Sequence, residues 1–138
     1  VQRYRSRLSG PLLDRIDIQV EVHRINFEQL QDGRAGESSA AIRSRVEQAR
    51  ALQQNRFKKL RILTNAQMHS RHLAKHCLLT SEARRLLQQA YRSLGLSMRA
   101  HDRIIKVART IADLAGSDTI EAPHIAEAIQ YRSLDRQS

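Results

Sequence analysis

Three histidines, His69, His72 and His76, fall at i, i+3 and i+7, with Cys77 beside the last. On one helix that spacing sets three imidazoles along one side, and imidazole is a good zinc ligand. A structural zinc motif also needs a second ligand cluster, and the sequence has none. The histidines therefore read as solvated or nucleic-acid-facing, and Cys77 as a small buried apolar residue. No metal site is expected. A second group, Arg43, Arg45, Arg50, Arg56, Lys58, Lys59 and Arg61, crowds one helix and its end. It reads either as a face for DNA phosphates, with salt-sensitive and sequence-independent binding, or as a solvated face laced by Glu47. With three tyrosines, two phenylalanines and no tryptophan, base stacking is not expected as the main mode.

Two arginines stand beside turns. Arg15 lies between Asp14 and Asp17 in "SGPLLDRIDIQVEV", where the plainest reading is a surface ion pair with either acid. Arg99, in "SMRAHDR", falls where Ser97 starts a helix. The positive end of a helix dipole there adds to a field that attracts phosphate. Its ordinary alternative is a solvated charge near Asp102. Arg103, one turn on, is a weaker candidate that pairs more naturally with an acid.

The chain has no GxxxxGK[ST] loop, no GxGxxG and no acidic pair after an apolar strand, so it is not expected to hydrolyse nucleotide unaided. A formal charge of +10 and a pI near 11.0 favour a polyanionic or acidic partner without choosing among them. One cysteine rules out an internal disulfide and suits a reducing compartment, most simply the cytoplasm. The apolar runs are short, so no membrane span or signal peptide is expected. The 138 residues suit one domain. The start at Val1, with basic residues and no helix-start signal, reads as a cut from a longer polypeptide.

The elements that must position these residues change character near residue 37. Before it, Ile16, Ile18, Val20 and Val22 alternate with polar residues at the period of a half-buried strand, after a Gly10-Pro11 turn. A lone strand cannot satisfy its own backbone. Residues 1 to about 24 are therefore expected to be disordered or to borrow a partner from another copy. "DGRAGESS" has linker chemistry.

Beyond it the period is helical. Ile42, Val46, Ala49 and Leu52 form a stripe capped by Ser38 or Ser39. Thr64 and Gln67 have capping-box spacing for a helix carrying Ala66, Leu73 and Cys77. Thr80 caps a clean amphipath through Leu94, stopped by Gly95. Ser97 starts a helix with Ile104, Val107, Ala108, Ile111, Ala112 and Ala115 on one face. Glu121-Ala122-Pro123 opens a fifth, with Ile125, Ala128 and Ile129. The fold class is all-α, a five-helix bundle over 38–133.

"RYRSRLSGPLLDRIDIQVEV" together with "LGLSMRAHDRIIKVARTIADLAGSDTIEAPHIAEAIQYRSLDR" resembles the C-terminal portion of magnesium-chelatase-like AAA+ ATPases of the ComM/YifB type. The resemblance implies a remnant of the AAA+ core over 1–24, with its last core strand. A linker follows over 25–37, then the helical AAA+ lid domain over 38–133 and a tail over 134–138. It implies that Arg15 is an arginine finger acting in trans on a neighbouring subunit's nucleotide, and that Arg99 has the sensor 2 role at an adjacent site. A planar, permanently charged guanidinium suits both tasks. The family usually carries a bulky aromatic where this chain has His101.

The implied partners are the rest of its own core, neighbouring subunits of a homo-oligomeric ring taken as a hexamer, and DNA. ATP and magnesium belong to the full-length assembly and not to this piece. The competing reading is an autonomous basic helical module that binds DNA through Arg43, Arg50, Arg56, Lys58 and Lys59 without an ATPase role. A third is a structural one, with the lid packing on a neighbouring core.

Overall fold

The computed structural model describes residues 10–27, 33 and 35–132. The first part of the expected core remnant, part of the linker and the expected tail lie outside the described residues. Six helices occur among those described. They are α1 Gly10–Leu13, α2 Ser39–Phe57, α3 Ser70–His76, α4 Ser81–Leu94, α5 Met98–Leu114 and α6 Ala122–Gln130, with a 3-10 turn at Asn65–Gln67 before α3. The helices α2 to α6 are the five of the bundle, and α1 is a single turn ahead of it.

The expected strand over residues 16–22 does not form. That stretch runs without a ladder partner, and no named strand occurs among the described residues. The physical reason is the one its pattern contains: a strand is stabilised by a neighbour, and no second strand-forming stretch lies in the described chain. What holds the stretch is polar contact with the bundle. The Gln19 N–H donates to the Tyr131 carbonyl at 2.7 Å, and Arg132 Nη1 donates to the Ile16 carbonyl at 3.1 Å.

Local chemistry accounts for most helix ends. The Ser38, Thr80 and Ser97 hydroxyls accept the N–H groups of Ala41, Ala83 and Ala100 at 3.2, 3.2 and 3.1 Å. Gly95 closes α4 with φ +58°, a left-handed conformation that would strain any side chain. The Thr64–Gln67 box is present, Gln67 Oε1 accepting from Leu63 and Thr64 N–H. It opens only the 3-10 turn, however. The helix proper begins after His69, whose N–H donates to His72 Nδ1 at 3.0 Å.

α5 lies at the centre, against α6, α2, α3 and the 3-10 turn, while α4 packs on α6. Its Ala100, Ile104, Ala108 and Ala112 are almost wholly buried, together with Ala83, Ile120, Ile125, Phe57 and Met68. A short parallel bridge ties the loop before α4 to the loop before α6. Thr80 N donates to Ile120 O at 3.0 Å, and Ile120 N to Leu78 O at 2.8 Å.

The helix α2 corrects its expected stripe. Ile42, Val46 and Leu52 are each 43% exposed, and the face turned inward is Ala49, Gln53 and Phe57. Those three lie four residues apart in the second half of α2, so only that half lies against the bundle. Phe57 at its end fills more core than the smaller aliphatics could.

Candidate functional site

Arg15 follows α1 in a turn closed by its own N–H to the Leu12 carbonyl at 3.0 Å. Its guanidinium is exposed and has no ion-pair partner among the described residues. The flanking acids are committed elsewhere. Asp14 Oδ2 accepts from Ser97 Oγ at 2.8 Å, and Asp14 Oδ1 lies 3.6 Å from Arg132 Nη2. Asp17 forms an ion pair with Arg103 of α5. The plain reading of Arg15 as a local pair with Asp14 or Asp17 therefore fails. Both acids face the bundle, and the arginine between them faces out.

Ser97 is the point of attachment. Its hydroxyl caps α5 and also donates to Asp14, so a single oxygen joins the Arg15 turn to the start of that helix. Arg99 is the second residue of α5 and is exposed. Its expected local partner is also occupied: Asp102 accepts from Ser70 Oγ at 2.7 Å and lies 3.2 Å from His101 Nδ1. His101 stands edge-on to Tyr91, with ring centroids 5.9 Å apart. Arg15 and Arg99 thus each sit within two residues of the Asp14–Ser97 hydrogen bond, and neither has an ion-pair partner among the described residues. Together with the positive end of the α5 dipole, they form an end of the molecule suited to an anion. Arg103 is not part of that free set, because Asp17 takes it.

The basic residues of α2 divide. Arg43, Arg50, Lys58, Lys59 and Arg61 are exposed. Arg45 pairs with Glu37, which holds the Glu37 carboxyl below its usual range through a side-chain hydrogen bond. Arg56 leaves the surface set altogether. It grips Asp113 with two hydrogen bonds of 2.9 and 2.5 Å and reaches Asn65 Oδ1 at 2.9 Å. Asp113 is fully buried and also accepts from Asn65 Nδ2 at 2.8 Å and Arg109 Nε at 3.2 Å. Arg109, 1% exposed, spends its remaining donors on the carbonyls of Asp118 and Ser117 at 2.7 and 2.5 Å. This network pins the end of α5 to its following turn and to α2.

The three histidines do not converge. His69 ends the loop before α3, His72 takes the backbone N–H of His69, and His76 stands edge-on to Phe57 with centroids 5.4 Å apart. Partial burial, then the nearby Lys75 and Arg56 charges, push the His76 pKa down. Cys77 is buried, and desolvation raises its thiol to about 11. No group of three metal-ligating side chains occurs among the described residues, and no helix among them is long and apolar enough to cross a membrane.

Sequence reasoning named Asp14 and Asp17 only as partners of Arg15 and missed Arg132 and the Arg109–Asp113 pair. The last had a signal, since the two residues are four apart beside the apolar stripe of α5. The contacts of Asp14 and Asp17 span 83 and 86 residues and leave no local trace.

A five-helix domain built around one central helix, with an arginine-bearing turn fastened to the start of that helix, is consistent with an ATPase lid. Residues 36–132 match the family described as magnesium chelatase, subunit ChlI C-terminal, and residues 1–30 match magnesium chelatase, subunit ChlI. The chain belongs to the magnesium-chelatase-like family of AAA+ ATPases. Within it the chain is of the ComM/YifB type. It is similar to the competence protein ComM of Haemophilus influenzae, 43% identical over 137 residues that cover 99% of this chain and 26% of that protein. It is also 44% identical over 135 residues to the YifB proteins of Salmonella typhimurium and Escherichia coli, covering 97% of this chain and 26% of each. The chain therefore spans about a quarter (26%) of the length of these curated relatives.

Proposed function

We propose that this chain is the lid part of an ATP-driven ring motor related to DNA, and that it presents Arg15 and Arg99 to nucleotide phosphates held by a neighbouring subunit. The observation that carries the reading is the Asp14–Ser97 hydrogen bond. It draws two exposed guanidinium groups, distant in sequence and without an ion-pair partner among the described residues, to one end of the bundle. In this reading Arg15 stabilises negative charge that develops as the terminal phosphoryl group departs, as an arginine supplied in trans does in other phosphoryl-transfer systems. Arg99, at the positive end of α5, contacts the phosphates and couples the position of the lid to the nucleotide state. Nucleotide and magnesium are bound by a phosphate loop and acidic residues on another part of a longer polypeptide; this chain supplies charge and orientation from outside that cradle. The assembly is a homo-oligomeric ring, a hexamer in this reading.

The test is ATP turnover by a polypeptide of the relatives' full length. Arg15→Ala should lower the rate on the order of 10³-fold. Mixing these subunits with others that keep both arginines but lack a working phosphate loop should restore turnover, because each supplies what the other lacks. Native turnover in the Arg15→Ala, Arg99→Ala double variant would overturn the reading.

The exposed Arg43, Arg50, Lys58 and Lys59 support a second reading, direct DNA binding by the bundle. Titrating duplex and single-stranded DNA into the chain at two salt concentrations separates the two. Micromolar affinity near physiological salt with a steep salt slope favours direct binding.

A further inference from the structure

Arg103 and Arg132 are cations that the nucleotide-facing set does not use, and both point at the stretch that carries Arg15. Arg132, 3% exposed at the end of α6, donates to the Ile16 carbonyl and faces Asp14. Arg103, on the second turn of α5, pairs with Asp17. Ser97 takes the other oxygen of Asp14, and the neighbouring Tyr131 carbonyl accepts from Gln19 N–H. The Arg15 turn is thus held at Asp14, Ile16, Asp17 and Gln19, before and after the arginine, by contacts from three places on the bundle. Holding four neighbouring residues fixes the point and direction from which the Arg15 side chain leaves the backbone and so narrows the space its guanidinium samples, whereas on a free turn the backbone would add its own motion.

We infer that Arg103 and Arg132 are positioning residues for Arg15. They latch its turn to the start of α5, so that Arg15 and Arg99 move as one body and meet phosphate together. The inference rests on the proposed role of Arg15. It moves Arg103 from a weak nucleotide contact to the latch. Neither Asp14 nor Asp17 touches nucleotide; each acts through the arginine between them. Because Asp17 is about half exposed, at 49% for its side chain, its removal should leave the bundle folded.

The experiment is steady-state ATP turnover by the full-length polypeptide carrying Asp17→Asn, Arg103→Asp, the charge swap Asp17→Arg with Arg103→Asp, and Asp17→Asn combined with Arg15→Ala. Phosphate release at high enzyme concentration gives access to the slow variants. Asp17→Asn should lower kcat about tenfold with KM for ATP changed less than twofold, as expected when a group acting mainly in the transition state is misplaced. The swap should recover most of that loss. In the Arg15→Ala background, Asp17→Asn should cost nothing further, because the latch has nothing left to position.

The latch is overturned by native kcat in Asp17→Asn when Arg15→Ala is slow, by a loss that the swap leaves uncorrected, or by losses that multiply in the double variant. Native turnover in Arg15→Ala would sink the role of Arg15 and the latch with it. Asp14→Asn with a thermal melt serves as a second probe. A lowered kcat at unchanged Tm supports the latch, and a loss of rate only in proportion to unfolded protein opposes it.

Discussion

The stretch from Gly10 to Val22 and the helices α4 to α6 carry the same kinds of aliphatic side chain and use them in opposite ways. In the helices, Leu87, Ile104, Ile125 and Ile129 are buried. In the stretch, Ile18, Val20 and Val22 are 52, 67 and 89% exposed. Apolar burial, about 25 cal/mol per Å², holds the helices, whereas a few hydrogen bonds and ion pairs hold the stretch. A helix completes its backbone bonds internally and needs a partner only for one face; a strand needs a partner for its backbone as well. The bundle can therefore stand alone, and the Arg15 turn depends on charged contacts that respond to salt and substitution.

Substitutions can break that contrast at its strongest point. Asp113→Ala should destabilise the bundle by about 3–5 kcal/mol, because it strands the buried Arg109 and the mostly buried Arg56 without a counter-charge. A denaturant melt measures it, and a change below about 1 kcal/mol would show that the network is not holding α2 to α5. Ser97→Ala tests the joint between the regions. Loss of the α5 cap should cost about 1 kcal/mol of bundle stability. It should also free Asp14, which hydrogen exchange at Gln19 N–H would register as faster exchange.

Salt sharpens the comparison further. Raising ionic strength from 0.05 to about 1 M shortens the screening length to about 3 Å and should speed exchange at Gln19 N–H while leaving the α5 amides unchanged. Equal effects in both regions would mean that the stretch is held by something other than charge. The smallest effect belongs to the exposed aliphatics. Val22→Ser should change stability by no more than about 0.5 kcal/mol, since the side chain is already in water. A larger loss in a thermal melt would place Val22 in a contact, such as one with a second copy of the chain.

Legibility in the sequence followed the range of the interactions. Ser97, Thr80 and Gly95 marked helix ends because a cap acts within three or four residues, and the periods of α4, α5 and α6 named much of their buried faces, although Val107 and Ile111 are only half-buried and Ala115 is exposed past the end of α5. In α2 the same logic picked Ile42, Val46 and Leu52 over Gln53 and Phe57. Periodicity ranks residues by hydrophobicity, whereas the fold ranks them by which half of the helix has a neighbour. The histidine spacing suggested one shared side for three rings, yet only His69 and His72 lie close, with centroids 5.7 Å apart, while His76 turns to Phe57.

Arg15 and Arg99 were singled out by motif, but that they stand at one end of the molecule could not be read from either. Periodicity, capping chemistry and motif, all short-range, determined by themselves a five-helix family member with two candidate arginines. Which charges are free was decided only in three dimensions. Asp17 takes Arg103 across 86 residues, Asp113 takes Arg56 across 57, and Asp14 takes Ser97 across 83. An ion pair has no sequence period, and its partner is whichever opposite charge the packed helices bring within reach.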